Sequence, residues 1–210
     1  MGKNFQMTIK FTDAVKYDKG LPHQKKAWEF LQASVHKEIL EEFARLYRNE
    51  QINPNIDGLP GSGVAIIKEF EGCHLNAYYD PLTGGLPITI GWGTTRKLNG
   101  MPFLIGEKIS QYEADLLLYH QLKKEYLPPL TKIPYWNEMS ENQKGALLSF
   151  AYNLGANFYG SDGFSTITTV LKNGEWNRVP DVLYMYRNPG TRVEAGLARR
   201  RKAEGDLWKK

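Results

Sequence analysis

The chain has 210 residues, enough for one hydrophobic core and a small accessory piece. Its 41% hydrophobic and 24% charged residues make an ordinary globular composition, which excludes a disordered or fibrous chain. A net charge of +4 favours an anionic partner such as nucleic acid, a lipid surface or a wall polymer, and the lone cysteine, Cys73, excludes an internal disulfide.

Residues 1–10 lack the apolar run of a signal peptide, and no stretch approaches the length of a membrane span. The expectation is a monomer made in the cytoplasm, without stable membrane insertion. In chain order, the first expected element is a helix. Pro22 follows Gly20-Leu21 at its first turn, and Trp28, Leu31, Val35, Ile39, Phe43 and Leu46 recur at helical spacing. One amphipathic helix cannot bury its own stripe, so it must dock on something. Asn53-Pro54-Asn55 and Asp57-Gly58-Leu59-Pro60-Gly61 read as a linker, which sets residues 1–57 apart from residues 58–210.

A second helix is predicted from about Ser62 to Gly72. Tyr78-Tyr79-Asp80-Pro81, Gly84-Gly85 and Thr89-Ile90-Gly91-Trp92-Gly93-Thr94 are β-prone and punctuated by glycine, as in a small hairpin sheet. Ser110 with Glu113, and Ser140 with Gln143, make two capping boxes that start helices. The first of these helices should stop before Pro128-Pro129, and the second should run to about Tyr152. Ser165 is a candidate cap for a short helix ending at Asn173-Gly174, and a last helix should run from near Gly196 through Trp208. The fold class is α+β, with a sheet lobe near residues 74–100 and a helical lobe made by the rest.

Two carboxyl groups flanking a sugar are the usual machinery for cutting a glycosidic bond. The proton donor needs a poorly solvated site. Glu71 closes the apolar helix containing Val64-Ala65-Ile66-Ile67, and Asp80 follows nine residues later at the entry to the hairpin. That spacing alone is common, and two surface acids would look the same.

The surrounding residues narrow the choice. Phe70-Glu71-Gly72, Ala77-Tyr78-Tyr79-Asp80-Pro81 and Thr89-Ile90-Gly91-Trp92-Gly93 resemble the active-site stretch of the phage-type lysozymes, glycoside hydrolase family 24. That family spaces a Glu, eight residues, an Asp or Cys, five residues and a Thr, followed by Ile-Gly-aromatic-Gly. Here eight residues separate Asp80 from Thr89, three more than usual. The extra residues fit the turn at 84–87, and Thr83 is the rival for the threonine position. Ala151-Tyr152-Asn153-Leu154-Gly155, Gly163-Phe164-Ser165-Thr166 and the 196–204 stretch Gly-Leu-Ala-Arg-Arg-Arg-Lys-Ala-Glu are similar to three further family motifs, in the family's order.

The resemblance covers about residues 60–208 and implies two lobes joined by a long helix, with a cleft between them. It implies hydrolysis of the β-1,4 bond between N-acetylmuramic acid and N-acetylglucosamine in peptidoglycan strands. Glu71 would be the acid, Asp80 the group that activates water, and Thr89 a holder of that water. Gly93, Tyr152 and Asn153 would contact the glycan. One of Arg199, Arg200 and Arg201 would lie near Glu71, although a solvated basic face explains that trio equally well.

The four histidines are scattered, so no metal and no cofactor is expected. Tyr17–Gln24 is similar to short segments attached to wall hydrolases of cyanobacteria and their phages. Residues 1–57 are read as a helical extension, with a wall-binding module as the alternative. A catalytically inactive wall-binding protein on the same fold is the competing function. A nucleic-acid-binding domain rests on net charge alone.

Overall fold

The computed structural model describes residues 58–79 and 84–210. The N-terminal helix expected between Pro22 and Leu46, the docking of its stripe, and residues Asp80 and Thr83 lie outside the described residues.

The first described helix, α1 (Gly61–Glu71), buries Gly63, Val64, Ile66 and Ile67 on one face. Gly63 and Val64 donate their N–H groups to the Pro60 carbonyl to start it. After Gly72 the chain enters an antiparallel pair, β1 (His74–Tyr79) and β2 (Ile88–Gly91). Tyr79 pairs with Ile88, Tyr78 with Thr89 and His74 with Gly91, with a bulge between His74 and Tyr78. All four residues of β2 are buried. Ile90 and Thr94 exchange both backbone hydrogen bonds, so Gly91-Trp92-Gly93 is a three-residue turn. Gly91 and Gly93 have φ of +64° and +106°, a conformation that a Cβ would strain. The sheet lobe runs further than the sequence suggests. Arg96 bridges to Pro102 and Asn76 to Lys108, and Ile88, Ile90, Phe103 and Leu117 form a small core beneath it.

Both capping boxes form. Ser110 Oγ accepts from the Glu113 N–H, and the Glu113 carboxylate accepts from the Ser110 N–H, at the start of α2 (Gln111–Gln121). Ser140 and Gln143 do the same for α4 (Glu141–Leu154). The expected stop before Pro128-Pro129 is corrected. A π-helical segment, Leu122–Tyr126, continues α2 and leads into α3 (Leu127–Leu130). The prolines occupy the first turn of α3, where a missing N–H costs least.

Ser165 is the first residue of α5 (Ser165–Lys172) and makes no capping bond, so its expected cap is also corrected. A helix the sequence reading missed, α6 (Val179–Met185), follows a short 3₁₀ turn at Trp176–Arg178. Pro180 looks like a breaker there but again falls in the first turn. The last helix, α7 (Glu194–Trp208), begins two residues earlier than expected.

The main core joins α1, α2, α4, α5, α6 and α7 around Ile67, Leu118, Leu147, Phe150, Ile167, Leu183 and Trp208. Where α1 crosses α4, Gly63 faces Gly145. A methyl at Gly63 would overlap the Gly145 carbonyl and Cα, while one at Gly145 would sit 2.6 Å from Ser62 Oγ and 2.7 Å from Gly63 N. Backbone cannot yield as a flexible side chain does, so Gly63→Ala must push the helices apart. The expected loss is about 1–3 kcal/mol, typical of overpacking. Gly196, also helical, has open space where a Cβ would go. Gly196→Ala should therefore stabilise by roughly 0.4–1 kcal/mol. Thermal melts followed by circular dichroism check the pair, and equal shifts of the same sign would contradict the crossing geometry.

Candidate active site

Glu71 is the last residue of α1, and its neighbour Gly72 begins the passage into the sheet. Its carboxyl therefore stands at the joint between the helical core and the sheet. The side chain is 27% exposed, and its Oε1 accepts from Arg200 Nη1 at 2.5 Å. Arg200 is the member of the basic trio that reaches Glu71. Arg199 is exposed, and Arg201 is wholly buried.

Arg200 is held on three sides. Nη2 donates to the Ser149 carbonyl at 3.1 Å, Nε lies 3.4 Å from Glu204 Oε1, and the guanidinium carbon is 5.9 Å from the centre of the Phe70 ring. Glu204 is completely buried. It accepts from Ser149 Oγ at 2.7 Å and from Arg201 Nη2 at 2.8 Å, and its Oε2 lies 2.7 Å from Arg201 Nε. Burial pushes the Glu204 carboxyl up and the Arg201 guanidinium down, and each charge counters that effect on the other. Two guanidiniums, Arg200 and Arg201, thus meet two carboxyls, Glu71 and Glu204.

The other expected residues fall into two groups. Tyr152 and Asn153 lie near the end of α4. The Tyr152 hydroxyl donates to the Trp92 carbonyl at 2.8 Å, and a Cβ on Gly93 would lie 3.6 Å from that hydroxyl oxygen. Tyr152 thereby joins the glycine turn to α4. Burial pushes its phenol strongly up, and the Glu71 charge adds to the effect, so it stays a neutral donor. Tyr126 packs on it with ring centres 5.0 Å apart, and its phenol is raised by burial, then by Glu125 and Glu71. Asn153 Oδ1 is buried without a hydrogen-bond partner among the described residues. Thr89 lies buried within β2, opposite Tyr78.

One cluster escaped the sequence reading. Lys68 lies one helical turn before Glu71 on α1 and approaches Asp115 Oδ1 on α2 at 2.9 Å. The same oxygen accepts from Trp92 Nε1 at 2.7 Å and from Gln111 Nε2 at 3.1 Å. Lys68 also donates to the Tyr119 hydroxyl at 3.3 Å and lies over the Trp92 and Tyr119 rings. Burial lowers the Lys68 pKa, but Asp115 and Tyr119 outweigh it and the net direction is up. The residues lie too far apart in sequence for any local motif to announce them.

Among the described residues, no group of three His, Cys, Asp or Glu side chains could hold a metal ion. None of the helices described is long and apolar enough to cross a membrane.

The profile of the phage lysozyme family matches residues 68–204. An endolysin of Lactococcus phage c2 is 33% identical over 149 residues, which is 71% of this chain. The chain spans only 59% of that endolysin's own length. P22 lysozyme superposes with a TM-score of 0.59 at 25% identity, covering 76% of this chain and 99% of its own. The muramidase domain of SpmX from Asticaccaulis excentricus gives a TM-score of 0.53 at 28% identity, covering 71% of this chain and 95% of that one.

Proposed function

The chain belongs to the phage lysozyme family, and from that premise we propose that it is an endolysin-type muramidase which hydrolyses the β-1,4 bond between N-acetylmuramic acid and N-acetylglucosamine in peptidoglycan. The observation that carries the reading is the Arg200–Glu71 pair at the joint between α1 and the sheet. An acid fixed at a helix end and steered by a buried guanidinium can be presented to a glycosidic oxygen at a constant angle.

In this reading Glu71 protonates the leaving oxygen. Asp80 deprotonates a water molecule on the opposite face of the sugar and stabilises the oxocarbenium-like transition state. The Thr89 hydroxyl helps to hold that water. Inversion at the anomeric carbon follows from this assignment, and it calls for a carboxyl separation of about 6.5–9.5 Å. Tyr152, Asn153 and Gly93 line the path of the glycan, and the hydrogen bond from the Tyr152 hydroxyl to the Trp92 carbonyl, which brings the glycine turn against the end of α4, supports the assignment. Residues 58–210 form the catalytic domain, and residues 1–57 form an accessory extension. The protein is made in the cytoplasm of the host and reaches the wall once the membrane is permeable.

Mass analysis of the fragments released from purified peptidoglycan tests this function. Reducing muramic-acid ends are expected. Anhydro ends would mean a lytic transglycosylase, and no release with intact binding would mean an inactive wall binder.

A further inference from the structure

β2 packs on α2, whereas α1, which carries Glu71, packs on α4 and α7. The proposed acid and the proposed water-holding threonine therefore belong to different packing partnerships. Asp115 is where the two meet, because its Oδ1 takes Lys68 from the Glu71 helix and the indole N–H of Trp92 from the turn that follows Thr89.

We propose that Lys68 and Asp115 are positioning residues that set the distance between Glu71 and Thr89, with Trp92 as the link to the strand. The proposal rests on the muramidase reading above. Each joint is short and directional. Lys68 is three residues from Glu71 on the same helix, so its bond to Asp115 ties the last turn of α1 to α2. Trp92 sits at the middle of the three-residue turn, three residues from Thr89, and its carbonyl is fixed independently by Tyr152. The Asp115 and Lys68 side chains are 21% and 24% exposed, so the pair is only partly screened by water. Neither residue needs to touch the glycan. A misplacement of 1 Å between reacting groups can cost on the order of 100-fold in rate, so a partial loosening is expected to cost about tenfold.

The test uses the full chain and soluble peptidoglycan fragments, with kcat and KM measured separately for Lys68→Met, Asp115→Asn and the double variant. Both single variants should lower kcat about tenfold with KM nearly unchanged, and the double variant should be no worse than Asp115→Asn alone. Lys68→Arg keeps the charge and the bond to Asp115, and should restore most of kcat. If Asp115→Asn fails to fold, Trp92→Phe removes only the indole donor, and its kcat should fall with KM preserved. Folded variants with wild-type kcat, or losses that multiply in the double variant, would overturn the proposal. A wild-type protein that releases no reducing ends, or an equally active Glu71→Gln variant, would instead overturn the muramidase reading beneath it.

Discussion

Glu71→Gln should lower wall hydrolysis by about 10²–10⁴-fold, the usual contribution of a positioned general acid, while leaving the protein folded. The amide oxygen can still accept from Arg200 Nη1, so the anchor at the end of α1 survives. What disappears is a proton of suitable acidity. Turbidity clearing of purified walls measures the activity, and circular dichroism checks the fold. Asp80→Asn should follow it closely, because loss of a carboxylate removes charge stabilisation from the transition state. Thr89→Ala should be milder, since a lost hydroxyl only loosens the water. If Thr83→Ala proved the damaging threonine change, the extra residues of the Asp80–Thr89 segment would have to be placed elsewhere. Retained activity in a natively folded Glu71→Gln protein would remove this residue from the mechanism.

The largest stability loss is expected at Glu204. Glu204→Ala would leave Arg201, fully buried, without the carboxylate that meets both its Nε and its Nη2. Removing one partner of a buried ion pair costs about 3–5 kcal/mol, because the remaining charge stays in the interior uncompensated. Against a total stability of roughly 5–15 kcal/mol, that is a large share. At about 2–4 °C per kcal/mol for a chain of this size, the melting temperature should fall by at least 6 °C. Arg200 would lose its Nε neighbour in the same step, so the orientation of Glu71 should suffer in whatever fraction stays folded. Urea unfolding would decide the matter, and a loss below about 1 kcal/mol would show that the carboxylate is dispensable to the core.

Much of this molecule is written locally. Ser110 with Glu113 and Ser140 with Gln143 fix two helix starts because the motif is complete within four residues. Gly91 and Gly93 announce their turn because glycine adopts positive φ more cheaply than residues that carry a Cβ. Glu71 stands out as an acid ending an apolar stretch. The misreadings share a cause, which is tertiary context acting on a local signal. Pro128 and Pro129 read as a stop, yet the π-helical segment at Leu122–Tyr126 lets a fresh turn begin beneath them. Ser165 reads as a cap, yet the helix starts at Ser165 itself. Which arginine meets Glu71 depends on the rotation of α7 against α1. Lys68 and Asp115 come together only through packing, so neither carries a mark in its own neighbourhood.

The meeting of Gly63 and Gly145 bears on how such a protein can diversify. Main chain registers α1 against α4 there, so the crossing of the helix that carries Glu71 rests on backbone contact, while Arg200 orients the carboxyl at its end. The sheet segment hangs from this frame between Gly72 and the capped start of α2 at Ser110. A change of length between Asp80 and Thr89, a stretch three residues longer than the family resemblance implies, leaves the α1–α4 crossing untouched, and the Lys68–Asp115–Trp92 contacts are the route by which it would be felt at Glu71. Under the muramidase reading proposed above, remodelling of the sheet would reshape the surface offered to a glycan while the register of α1 on α4 stays as it is.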